Sequence, residues 1–187
     1  MKKFSLLVVG IFSFCMATFA QIKLPPVDKS PLDMSYYPNA YPVLKIQDKI
    51  SEPLVARVIF SRPQKNGRTI FGELLEYGEV WRLGANEATE IEFFQAVKIG
   101  NTKIKKGRYT MYCIPYSDNW TLIINKETDT WGSFKYDATK DVVRIDVPVQ
   151  KQADILEAFV MAFDKTTTGA GLTIAWDNFR VVLPISF

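Results

Sequence analysis

From Leu54 onward the apolar residues of this chain alternate, and a period of two commits it to strands. Ala56, Val58 and Phe60 fall on one face of Leu54–Ser61, with Arg57 on the other. Ile91 and Phe93 oppose Glu90 and Glu92, while Tyr109, Met111 and Cys113 share a face. Val143, Ile145 and Val147 oppose Arg144 and Asp146. Successive side chains of a strand point to opposite faces, so such runs suit sheets with one face buried. Gly100-Asn101, set between Val97–Ile99 and Thr102–Ile104, reads as a hairpin turn. Trp120–Asn125, Gly171–Asp177 and Arg180–Ile185 add further strands. Ile155–Asp164 is apolar on both faces, and its bulky residues favour a strand over a helix. Ile70–Leu75 admits a short helix. About nine strands with few helical periods predict an all-β fold, a single antiparallel β-sandwich or flattened barrel.

The first twenty residues read as an address. Lys2 and Lys3 precede an apolar run, Phe4–Met16, that is too short to span a bilayer, and Thr18 and Ala20 flank Phe19 as a cleavage site before Gln21. Cys15 follows Phe14, where a lipidation signal wants a small residue, so a soluble, exported product, periplasmic or extracellular, is expected. No later stretch has the length and apolarity of a transmembrane helix. Residues 21–53 hold Pro25, Pro26, Pro31, Pro38, Pro42 and Pro53, six of the ten prolines. Proline fixes φ and removes a ladder donor, so this segment is expected as an extended arm. The organisation that follows is a signal peptide at 1–20, a Pro-rich arm at 21–53 and one sandwich domain at 54–187.

Several chemistries are excluded by composition. The chain has no histidine, which removes Ser-His-Asp and Cys-His nucleophile systems and the usual zinc sites. Loss of Lys2 and Lys3 with the leader lowers the net charge from +3 to +1, a balance that does not suit nucleic acid. Cys113 would then be the sole cysteine, without a disulfide partner, and its place in an apolar strand suits a small buried side chain. No P-loop or dinucleotide fingerprint occurs, and Asp129, Asp137 and Asp141 are too loosely spaced for calcium. No cofactor or metal is implied.

Residues 62–89 break the alternating pattern. They carry Arg62, Arg68 and Arg82, four of the ten glycines and several carboxylates. Ordered loops of this length either build a site or plug a core. Several pieces of the chain together resemble a known family: Phe60-Ser61-Arg62-Pro63, Gly67-Arg68-Thr69-Ile70-Phe71-Gly72, Tyr77-Gly78-Glu79-Val80-Trp81-Arg82 and Gly84-Ala85-Asn86-Glu87-Ala88-Thr89. Gly107-Arg108-Tyr109, Trp120-Thr121-Leu122-Ile123-Ile124-Asn125, Trp131-Gly132 and Asp141-Val142-Val143-Arg144 continue the likeness from about residue 30 to the C-terminus. The chain resembles the DUF2911 family, a domain of unknown function whose exported members are common in Bacteroidetes. The resemblance implies an exported, β-rich domain and no particular activity.

Within the loop, the three arginines could converge as a fork for a carboxylate or phosphate, or each could be tied to Glu73, Glu79 or Glu87 to hold the loop in shape. Gly84-Ala85 permits close backbone approach, and Asn86 tolerates left-handed angles, so Asn86 and Glu87 could face a ligand or simply form a turn. The site expected from these residues comprises Arg62, Arg68, Trp81, Arg82, Asn86 and Glu87, and its ligand is a small polar or anionic molecule, a carbohydrate among the candidates. A second reading is a glycosidase using Glu79 and Glu87, which would need separations of about 5–5.5 Å or 6.5–9.5 Å, with Trp81 or Trp131 stacking on the sugar. A third is a surface module that docks a protein partner through the Pro-rich arm. Trp131, Phe134 and Tyr136 could stack on glycans, but are expected to seal the edge of the core.

Overall fold

The computed structural model describes residues 23–187, so the signal-peptide expectation at 1–20 lies outside the described residues. Among the described residues, ten strands form two antiparallel sheets: β1 (Leu32–Tyr37), β2 (Ala56–Ser61), β3 (Glu90–Phe93), β4 (Val97–Ile99), β5 (Thr102–Ile104), β6 (Gly107–Pro115), β7 (Asn119–Asn125), β8 (Asp141–Pro148), β9 (Gln150–Thr166) and β10 (Gly169–Ser186). One sheet runs β1-β2-β3-β6-β7-β8 and the other β5-β4-β10-β9. This is a sandwich of two open sheets, not a flattened barrel.

Alternation produces the core. Val58 and Phe60 of β2, Ile91 and Phe93 of β3, and Met111 and Cys113 of β6 are buried, and they meet Phe159, Met161 and Phe163 of β9 and Leu172, Ile174 and Trp176 of β10. Ten of these side chains are Val, Leu, Ile, Phe or Met, and at about 1.5–3 kcal/mol for each one fully buried they far outweigh any single polar contact in the fold. Ile155–Asp164 is a strand, the middle of β9, with Phe159, Met161 and Phe163 inward and Ile155 exposed. The Gly100 turn joins β4 to β5 with φ +55.

The Pro-rich segment contributes more order than its composition suggests. Leu32–Tyr37 pairs along its full length with β2, and Tyr37 is buried against Phe163 and Phe187. Pro31 and Pro38 bracket the strand, where their missing N–H groups cost the ladder nothing. A short helix, α1 (Tyr41–Ile46), follows with proline in its first turn. The helix expected at Ile70–Leu75 is instead a turn. Gly72 sits at φ +93, and its N–H donates to the Leu75 carbonyl (2.8 Å), reversing the chain.

Two loops cover what the sheets leave open. Ala88, Tyr112 and Ile123 form a small second cluster with Val80, Ile114 and Tyr136, on the face of β6 and β7 turned away from the main core. Residues from both the 62–89 loop and the 126–137 loop meet there.

Candidate functional site

Strands β2 and β3 are direct neighbours, paired from Ala56↔Phe93 to Ile59↔Glu90, yet the chain between them makes a long excursion. That excursion both plugs the core and builds a wall of a cleft. Ile70, Phe71, Trp81 and Leu83 are buried, while 73, 74, 76, 77, 78 and 79 are exposed. Trp81 lies among aromatic rings, 5.2 Å from Phe159 and 6.1 Å from Phe71 and Trp176 by ring centres. Its indole N–H donates to the Gly84 carbonyl (3.0 Å), and its backbone exchanges two hydrogen bonds with Cys113 (2.7 and 2.8 Å). The loop therefore re-enters the sheet alongside β6, beyond the end of β3.

The three arginines have different surroundings. Arg62 is engaged by the arm and the opposite sheet: its Nη1 donates to Asp33 (3.0 Å) and its Nε to the Phe159 carbonyl (3.1 Å). Arg68 donates from Nε and Nη2 to the carbonyls of Lys65 (2.9 Å) and Gln64 (2.5 Å). Arg82 is half-buried, and no carboxylate pairs with it among the described residues. Its Nε is buried without a hydrogen-bond partner among those residues, and burial lowers the guanidinium's pKa from its ordinary value. None of Glu73, Glu79 and Glu87 forms an ion pair with the three arginines.

Arg68, Trp81 and Arg82 line one cleft of about 240 Å³, together with Gly84, Ala85 and Trp176. Two arginines and no Asp or Glu are among the residues lining this space. An unpaired, partly desolvated arginine is costly unless a ligand supplies the counter-charge. Such a cleft can take a carboxylate or phosphate.

The remaining expected residues lie elsewhere. Arg62 is not among the residues lining this cleft. Asn86 does adopt the left-handed conformation (φ +59), but the contact it makes is through its backbone carbonyl, which accepts from Gly132 N–H (2.9 Å). Glu87 is exposed and lines a separate cleft with Glu90 and Asp129. Glu79 stands in an exposed turn, and no hydrogen bond or ion pair joins its carboxylate to Glu87 among the described residues. Tyr136 packs on Tyr112 (5.0 Å) and bonds Asp141 (2.6 Å) and Arg144 (2.6 Å). Trp131 and Phe134, expected to seal the core, are exposed instead. Nothing in the sequence distinguishes these two from Tyr136, since all three alternate with small or polar residues.

A family model described as a protein of unknown function (DUF2911) matches residues 42–185, well over half of the chain. No curated protein and no solved structure matches it.

Proposed function

The chain belongs to the DUF2911 family, and from that premise we propose that it is an exported binding domain that holds a small anionic ligand against Arg82 and Arg68. Export rests on the leader-like sequence of residues 1–20. The single observation that supports the site is the Arg82 guanidinium, unpaired in a cleft that offers positive charge and no carboxylate. A carboxylate-bearing sugar suits it, since a guanidinium would take its acid group. No helix among the described residues is long and apolar enough to cross a membrane.

The test is a thermal-shift titration with glucuronate, galacturonate, phosphate and sulfate on the wild type, Arg82→Met and Arg62→Ala. A ligand at about 100 times its dissociation constant stabilises the native state by roughly 2.7 kcal/mol. The shift should appear in wild type and in Arg62→Ala, whose side chain is engaged elsewhere, and vanish in Arg82→Met. Arg82→Met itself should be as stable as wild type or more so, because it removes a desolvated, unpaired charge. No shift with any anion, together with a strongly destabilised Arg82→Met, would show the arginine to be internal scaffolding.

The arm favours a second reading. Leu24, Val27 and Ile46 are at least four-fifths exposed. Apolar surface of this kind on a proline-rich segment suits docking to a protein partner. Replacing Leu24, Val27 and Ile46 together by serine would leave anion binding intact and abolish only the partner contact.

A further inference from the structure

The 126–137 loop borders a second cleft, of different chemistry. Trp131 is 62% exposed and Phe134 85% exposed, although the chain that bears them is firmly held. Ala88 N–H donates to the Thr130 carbonyl (3.0 Å), Gly132 N–H to the Asn86 carbonyl (2.9 Å), and Ser133 Oγ to the Val80 carbonyl (2.9 Å). The Phe134 ring lies so close to Gly132 that a Cβ there would meet it at 2.6 Å, and Gly132 has φ +69. Glycine is what lets this ring fold back over its own turn. Two large rings are thus displayed to solvent on a backbone already ordered, so a ligand stacking on them need not meet that ordering cost.

Both rings line a cleft of about 560 Å³, within the ordinary size range of small-ligand sites. Its charges largely cancel. Glu127 is bonded to Lys140 and Asp129 to Arg108, leaving Lys135 as the lining charge without an ion pair among the described residues. The neutral polar groups are hydroxyls: Thr130 and Tyr112, 3.1 Å apart, and Thr128, which donates to Asp129 (2.8 Å). Aromatic faces combined with hydroxyls and internally paired charges select a neutral, polyhydroxylated ligand over an ion. The C–H face of a pyranose ring is apolar and stacks on an indole, while its hydroxyls find partners around the rim.

We propose that the cleft lined by Trp131 and Phe134 binds a neutral oligosaccharide by ring stacking, independently of the anion site at Arg82. The protein carries its own reporter, because Trp81, Trp120 and Trp176 are buried and Trp131 is not. Acrylamide quenching of tryptophan emission therefore follows Trp131. The probes are cello-, chito-, manno- and xylo-oligosaccharides at about 10 mM, enough to saturate even a ~1 mM site, with adenosine as a non-sugar control. One oligosaccharide series should protect Trp131, and its affinity, read by titration calorimetry because Trp131→Ala removes the reporter, should fall about tenfold or more in Trp131→Ala and Phe134→Ala, the scale of one lost stacking contact. Both variants should keep the wild-type melting temperature, and Arg82→Met should bind the sugar unchanged. The proposal is overturned if no series protects Trp131, if adenosine protects it equally, or if affinity survives Trp131→Ala. Loss of the sugar in Arg82→Met alone would also overturn it and place the sugar at the arginine cleft.

Discussion

Ser61 and Ala85 are bonded in both directions: the Ser61 hydroxyl donates to the Ala85 carbonyl (2.5 Å) and accepts from the Ala85 N–H (2.6 Å). One buried side chain at the end of β2 thus satisfies both backbone groups of a residue in the cleft wall. The neighbouring Gly84 has φ +154, and a Cβ there would meet Ser61 Oγ at 2.7 Å. The close approach and the backbone angle both call for glycine.

Ser61→Ala should therefore destabilise the protein by about 1–3 kcal/mol, the cost of leaving partly buried polar groups without a partner. Gly84→Ala should cost about as much through backbone strain alone, and more through the clash. Denaturant unfolding of the two variants checks this. Stabilities within error of wild type would mean that the loop is not held through this contact.

Tyr136 gives the protein an alkaline limit. Burial, followed by its hydrogen bond to Asp141 and that carboxylate's charge, pushes the phenol from 10.0 up to about 12, while Arg144 opposes the shift. The folded state thus holds this proton more tightly than the unfolded chain. The associated stability is complete below pH 10 and is lost as pH rises toward 12. Tyr136→Phe should flatten the decline over that window without abolishing it, because burial also raises Tyr112. Identical alkaline slopes for the two proteins would refute the assignment.

Cys113 should be silent to thiol reagents in the folded protein. It is buried, and burial pushes its pKa well up, so little thiolate is present to react. In a chain beginning at Gln21 it is the sole thiol, and its labelling rate should follow global unfolding. Fast labelling under native conditions would show local opening of β6.

Much of the sandwich was legible because alternation is a local signal: Ala56, Val58, Phe60, Ile91 and Phe93 are inward as their spacing predicts. The edge strand β1 was hidden because the prolines around it dominate the composition, although Pro31 and Pro38 bound the strand and do not interrupt it. At Ile70–Leu75 the apolar spacing fits a helix, and the left-handed backbone of Gly72 prevents one. The arrangement of the arginines was not legible. Positive φ at Leu83, Gly84 and Asn86 steers the chain at each step, and such angles leave no periodic trace. The exposure of Trp131 and Phe134 is not legible, because hydrophobicity predicts burial on average and the sequence does not show which loop aromatics the neighbouring backbone holds outward.

The excursion between β2 and β3 also bears on how sequences of this kind can vary. Because β2 and β3 already pair with each other, their ladder does not depend on what lies between them. The interior does, through Ile70, Phe71, Trp81 and Leu83. Shortening the segment would therefore open holes in the protein, whereas rewriting its exposed stretch, residues 76–79, would not. Related chains are free to acquire new specificities by substitution around those four anchors, but deletion is closed to them.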